Sequence, residues 1–187
     1  MGRWQPNSRG RLEQAALELY VERGFAQTTV TEIARQAGLT ERTFFRYFAD
    51  KREVLFSGSA ELQEVLIGAV AGAPEQAAPI DAVAAGLDAM GGVLRDLPRS
   101  RRRQSVISAN PELQERELAK LATLSTAVAD TLRGRGVQEP AATLAADAGI
   151  AVFRVSFERW IGGPDDGELR RFIKDSLAEL KAVTSAS

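Results

Sequence analysis

The chain has 187 residues, 44% hydrophobic and 26% charged, with a net charge of −1, an ordinary balance for a globular protein of one or two domains. It contains no cysteine and no histidine, which excludes disulfides, thiolate metal sites, cysteine nucleophiles and the commonest general base. No run approaches the roughly eighteen apolar residues of a membrane helix, and MGRWQPNSRGR lacks the apolar run of a signal peptide, so a cytoplasmic location is expected.

Ala, Leu, Glu and Arg dominate and β-branched residues rarely cluster, so the chain reads as all-α, divided by its breakers into about nine helices. Ser8 is placed to cap a first helix that carries Leu12, Ala15, Ala16, Leu19 and Tyr20 on one face and ends at Arg23 and Gly24. Thr29 and Glu32 frame a capping box for a short second helix with Ile33, Ala34 and Ala37 inward, stopping at Gly38. Thr40 caps a third, Glu41 to Phe48. Asp50 and Glu53 repeat the capping spacing and predict a longer fourth helix toward Val70. A linker rich in Ala, Gly and Pro follows, from Ala71 to Pro79. Further helices are expected over 80–97, 99–109, 111–133, 140–161 and 166–182, separated by Pro98, Pro111, Gly134 and Gly136, Pro140, and the run Gly162 to Pro164. Val183 to Ser187 is expected to fray.

Two short helices joined by Ala37, Gly38, Leu39 and Thr40 fit a helix-turn-helix, with glycine supplying the left-handed backbone of the turn. The stretch LTERTFFRYFADKREVLF, Leu39 to Phe56, holds five of the chain's twelve aromatic residues, three arginines and a lysine. Helical spacing sorts it. Phe44 and Phe48 share an inward face with Leu39, while Glu41, Arg42, Phe45 and Arg46 point outward, with Tyr47 at the edge and Thr43 near the start. An outward phenylalanine among arginines suits a recognition helix in the major groove, where Arg42 pairs with guanine and Phe45 presses on a thymine methyl. Charge agrees in sign: residues 1–56 carry nine Lys/Arg against seven Asp/Glu, and residues 57–187 carry fifteen against eighteen. Arg3, Arg9 and Arg11 have two open readings, a minor-groove arm and an ordinary basic tail.

GFAQTTVTEIARQAGLTERTFFRYFADKREVLF resembles the DNA-binding domain of the TetR family of transcriptional regulators. The resemblance rests on Gly24, Phe25, Thr28 to Val30, Ile33, Ala34, Ala37 to Leu39, Thr43, Phe45, Tyr47, Phe48 and Lys51. It implies that Thr29 and Thr40 cap helices and touch phosphate, that Tyr47 and Lys51 grip the DNA backbone, and that Thr43 and Phe45 sit against the groove. Position 42 is frequently glycine in that family; here it is arginine, and Arg46 adds further charge, which points to a distinct operator. Beyond residue 60 the resemblance is one of layout only.

The implied domains are 1–56, a helix-turn-helix three-helix DNA-binding domain with a basic arm over 1–8, and 57–187, a larger helical domain for effector binding and dimerisation. A single helix-turn-helix reads few base pairs, so a homodimer on a palindromic double-stranded DNA operator is expected. Leu144, Ala148, Ala151, Val152 and Val155, and Leu169, Phe172, Ile173, Leu177 and Leu180, recur at helical spacing in the last two helices. Either set serves equally as monomer core; the resemblance implies a four-helix dimer interface. Met90, Leu94, Val106, Leu121, Leu124, Phe153, Phe157 and Trp160 are candidates to line an effector pocket, and each is equally a core residue. Their apolar character favours a lipophilic, acyl-type small-molecule effector. Gly91 and Gly92 mark a kink or a close approach of ligand, and Arg99 with Arg101 to Arg103 is either solvated surface or a site for an anionic head group.

The expected function is therefore a ligand-responsive transcriptional repressor released from its operator by a small lipophilic effector. The alternative is an effector-independent dimeric regulator whose larger domain serves dimerisation or protein contacts. With no histidine, no cysteine and no phosphate-binding glycine loop, no catalytic, metal or cofactor site is expected.

Overall fold

Caps and breakers set the element boundaries. The structure, a computed structural model, describes residues 7–164 and 167–185. Among these are nine α-helices, one 3-10 turn and no strand, the all-α class expected from the residue pattern. The helices are α1 (Ser8–Arg23), α2 (Val30–Gln36), α3 (Glu41–Tyr47), α4 (Ser59–Ala71), α5 (Pro79–Val93), α6 (Leu97–Ser108), α7 (Pro111–Gly134), α8 (Ala141–Gly162) and α9 (Leu169–Ser185), with the 3-10 turn at Glu53–Phe56.

The described residues gather into two compact units. The first holds those up to Gly58 together with Arg101–Glu117; the second holds Ser59–Ser100 and the described residues from Leu118 on. This differs from a single cut after residue 56, and side chains explain why. Val106, Ile107 and Leu113 are buried in the same apolar cluster as Leu12, Tyr20, Phe44 and Leu55. The Arg103 guanidinium donates to the Leu55 carbonyl at 2.6 Å, pairs with Glu117 at 3.1 Å and lies 5.2 Å over the Phe56 ring. Arg116 pairs with Glu53. Arg103 thus belongs to the packing of the first unit and is not part of a solvated basic run.

In the first unit the cap of α1 falls one residue earlier than expected. Asn7, in the left-handed region, accepts from the Gly10 amide at 3.0 Å, so Ser8 is the first helical residue rather than the cap. α2 carries the full capping box: the Glu32 amide donates to Thr29 Oγ1 at 3.3 Å and the Thr29 amide to Glu32 Oε2 at 2.9 Å. The α2–α3 turn needs Gly38, whose φ of +64° lies where a side chain is strained.

The expected fourth helix is corrected. Asp50 does cap, accepting from the amides of Arg52 at 2.8 Å and Glu53 at 3.2 Å, but it opens a 3-10 turn and not a long helix. Gly58, at φ +85°, then breaks the chain before α4. Residues Glu53–Ala71 together are long and apolar enough to count as a membrane-crossing candidate. Broken at Gly58, they leave only the 13 residues of α4 in one continuous helix, about 20 Å, against a hydrocarbon core of about 30 Å.

The second unit is built from α4, α5, α8 and α9 with most of α7. Leu66, Val70, Val83, Leu87, Met90, Val128, Leu132, Val152, Trp160 and Ile173 fill its core. Pro79 opens α5 at the first helical position, where its missing amide costs nothing. Gly91 lies within α5 with no helix break at that point; a Cβ there would sit 2.9 Å from Ile173 Cδ1. The close approach it permits is therefore that of α9. Gly149 plays the same part between α8 and α5, where an added methyl would overlap Val83 Cγ1. Gly149→Ala is expected to destabilise the fold by about 1–3 kcal/mol, since valine cannot swing away as a longer side chain would. A urea titration followed by circular dichroism measures this; an unchanged midpoint contradicts the tight seam.

Candidate nucleic-acid interface

The site is assembled by three short elements in the first unit. The caps come first. Thr29 opens α2 as described, and Thr40 opens α3 by accepting from the Thr43 amide at 3.2 Å, with the two threonine hydroxyls 3.0 Å apart. Between the helices, the Thr31 hydroxyl donates to Glu41 at 2.6 Å. That bond, not foreseen from spacing, ties the one acid of α3 toward α2 and away from the outward face.

α3 then divides as its spacing requires. Phe44 and Phe48 are buried, with ring centroids 5.4 Å apart. Phe45 is 55% exposed and rests edge-on against Phe44 at 5.4 Å. Tyr47 is 41% exposed. Arg42 is exposed and has no partner among the described residues; Thr43 is half-buried. Arg46 is also exposed, and it donates to the Tyr47 hydroxyl at 2.9 Å with its guanidinium carbon 4.8 Å from the ring centroid. Leaving a phenylalanine, a tyrosine and two arginines together at the surface gains nothing from burial. Such a face suits contact with a polyanion carrying apolar edges, which is what a DNA major groove offers.

Lys51 is placed differently from the expected phosphate contact. Its ammonium donates to the carbonyls of Phe25 at 2.8 Å, Thr28 at 2.9 Å and Ala26 at 3.4 Å, and stands 4.4 Å from the Phe25 ring centroid. The Lys51 carbonyl in turn accepts from the buried Tyr20 hydroxyl at 2.6 Å; burial first, then the nearby Asp50, holds that phenol well above its ordinary pKa. Lys51 therefore braces the loop that leads into α2. Lys51→Ala is expected to lower stability by about 1–2 kcal/mol by leaving these carbonyls to water. A chemical denaturation curve decides: unchanged stability together with lost DNA affinity would return Lys51 to the phosphate role.

Arg9 and Arg11 do not form an arm. Both lie in α1, where Arg9 pairs with Glu13 at 3.2 Å and donates to Ser57 Oγ at 2.9 Å, and Arg11 donates to the Ala37 carbonyl. Arg3 falls outside the described residues.

Below the site, the Asp50 carboxyl is held under the usual carboxylate range, chiefly by its hydrogen bonds from the Arg52 side chain at 2.6 and 3.1 Å and then by the two backbone amides it caps. A depressed folded pKa gives stability that is fully present above the unfolded value near 4 and lost as pH falls through the folded one. The stability difference between the wild type and Asp50→Asn should therefore be present at pH 6 and shrink as pH drops below about 4, by less than about 1 kcal/mol because the pair is water-screened. Urea midpoints across that pH range test it, and a constant difference would contradict the cap.

The effector-lining candidates separate. Met90, Leu94, Leu124, Phe153, Phe157 and Trp160 join one apolar cluster in the second unit. Val106 does not: it packs in the core of the first unit, because its half of α6 belongs there. Leu121 is half-buried and outside that cluster. Phe153, Phe157 and Trp160 form a ladder along α8 with centroids 5.8 Å apart at each step. Leu94 and Trp160 border a recess of about 170 Å³ with Gly91, Leu97 and Gly167. Of the interface candidates, Val152 is buried, whereas Leu144 is 64% and Val155 41% exposed. In α9, Leu169, Phe172 and Ile173 face their own core.

Comparison with known proteins fits this geometry. Residues 13–57 match the model of bacterial regulatory proteins of the tetR family, and residues 77–185, more than half of the chain, match that of the MftR C-terminal domain. The HTH-type transcriptional regulator TcmR of Streptomyces glaucescens is 35% identical over 89 residues, covering 48% of this chain and 39% of TcmR. MftR of Mycobacterium tuberculosis, a transcriptional regulator assigned to mycofactocin biosynthesis, is 31% identical over 115 residues, covering 61% of this chain and 58% of MftR. The chain thus spans less than two thirds of the length of either relative. Thermus thermophilus FadR, a TetR-family transcriptional repressor solved in complex with lauroyl-CoA, superposes with a TM-score of 0.54 at 27% identity over 92% of each chain. The chain belongs to the TetR family of bacterial regulatory proteins.

Proposed function

We propose that this regulator is a homodimeric, cytoplasmic repressor that holds a palindromic operator and leaves it when a small lipophilic effector binds. The observation that carries the DNA-binding part is the two-faced α3. Phe44 and Phe48 anchor it, and Arg42, Phe45, Arg46 and Tyr47 are left outward beside the capped ends at Thr29 and Thr40. Thr43 completes the groove-facing set.

Dimerisation through the last two helices is supported by Leu144, Ala151 and Val155, an exposed seam at coiled-coil spacing along α8, with half-buried Ala148 between them. The effector part draws on the aromatic ladder of α8 and on the likeness to a repressor solved with an acyl-CoA. Coupling would be a shift between two dimer states; a hundredfold loss of operator affinity needs about 2.7 kcal/mol of difference in effector affinity between them.

A mobility-shift assay on the DNA upstream of the protein's own gene tests the core of this reading. Arg42→Ala and Tyr47→Ala are each expected to weaken the complex, and added salt to weaken it steeply through counterion release. Unchanged binding by both variants would remove α3 from the interface.

The second reading, a regulator without an effector, is favoured by one observation. The recess at Leu94 and Trp160 holds about 170 Å³, below the roughly 300 Å³ at which ligand pockets begin. Thermal-shift measurements against fatty acids and acyl-CoAs separate the two: stabilisation together with operator release supports the effector, and no shift across the series supports the second reading.

A further inference from the structure

Arg42 and Arg46 lie one helical turn apart on α3 and share its exposed face. Four residues of helix advance about 6 Å along the axis, close to the roughly 7 Å spanned by two base-pair steps in a duplex. The acid beside Arg42 is tied elsewhere, since Glu41 accepts from Thr31 at 2.6 Å. Arg42 has no partner among the described residues, and Arg46 bonds only the Tyr47 hydroxyl, at 2.9 Å, with its guanidinium lying along that ring. Both forks therefore keep the donors that a guanine O6 and N7 accept, and arginine on guanine is the commonest specific contact in the major groove.

We propose that each operator half-site presents two G·C pairs about two steps apart, one read by Arg42 and the other by Arg46. Tyr47 is the positioning residue for the second: its hydroxyl and ring hold the Arg46 fork in one plane. This rests on the reading of α3 as the DNA-facing helix and adds the chemistry of its target. Phe45 lies between the two arginines in sequence and, with its exposed ring, covers the intervening step as an apolar contact.

The test is selection of duplexes from a randomised library by the full-length protein, repeated with Arg42→Lys, Arg46→Lys and Tyr47→Phe. Lysine keeps the charge and loses the two-pronged fork. Wild type should enrich palindromes with the two G·C pairs at that spacing. Each lysine variant should lose preference at one of the two positions only, on the order of tenfold in relative affinity, with the salt dependence retained. Tyr47→Phe should weaken the preference at the Arg46 position alone, which a merely structural role would not do. Circular dichroism melting checks that the variants fold, and Arg→Gln replacements carry the same comparison if a lysine variant melts early. A wild-type consensus lacking the pair, or a substitution that erases both positions or neither, overturns the proposal while DNA binding stands. If wild type enriches no sequence and binds no duplex, the DNA-binding reading itself falls.

Discussion

Phe44→Ala is expected to lower the stability of the first unit by about 3–5 kcal/mol, while Phe45→Ala, one residue along, changes it by no more than about 0.5 kcal/mol. The two side chains are the same and their environments are opposite. Phe44 is fully buried, in ring contact with Phe45 and Phe48 and in one cluster with Tyr20, Ile33 and Leu55. Its loss leaves a void that the short α2 and α3 cannot close without giving up their caps. Phe45 loses only an edge contact. In a mobility shift the order is expected to reverse at temperatures where both variants are folded: Phe45→Ala binds DNA less well and residual folded Phe44→Ala binds nearly as wild type. Urea denaturation gives the first comparison. Equal destabilisation by the two variants would mean that the inward and outward faces of α3 have been assigned the wrong way round.

Trp160→Ala is expected to cost the second unit a comparable 3–5 kcal/mol, with Trp160→Phe falling between it and wild type. Trp160 is 1% exposed and ends the α8 ladder. Its indole N–H donates to the Gly167 carbonyl at 2.7 Å, which pins the segment before α9. Phenylalanine restores most of the volume but leaves that carbonyl without its donor, a loss of about 1 kcal/mol. Because the chain has two units, the denaturation curve should be followed by far-UV circular dichroism and tested for a second transition. The same variants bear on the effector. If Trp160 is core and not ligand wall, Trp160→Phe keeps any stabilisation that an acyl ligand gives to wild type; loss of that stabilisation in a folded Trp160→Phe variant would make it a ligand contact.

Much of this protein was legible in its residues alone. The helix-turn-helix was readable because its signals are local: a capping box spans three residues, a turn glycine one, and the burial of Phe44 and Phe48 follows from a helical period of 3.6. The all-α class followed from propensity summed along the chain and from breakers that interrupt it. What was not legible depends on distant partners. Whether Asp50 opens a long helix or a 3-10 turn depended on Gly58 eight residues on, and on the Arg103 and Arg116 contacts that hold Glu53–Phe56 from 48 and 63 positions away. Lys51 looked like a phosphate ligand because a lysine beside a recognition helix is a free cation on paper; only the fold brings the Phe25 and Thr28 carbonyls to its ammonium. Val106 has the same apolar character as the candidates of the second unit, and its place in the first was set by which half of α6 packs on which core. Local hydrogen bonding and periodicity therefore determined the elements and the outward face of α3. The tertiary structure decided which charges are already partnered and which remain available, because a donor's partner is a matter of position in space and not of spacing along the chain.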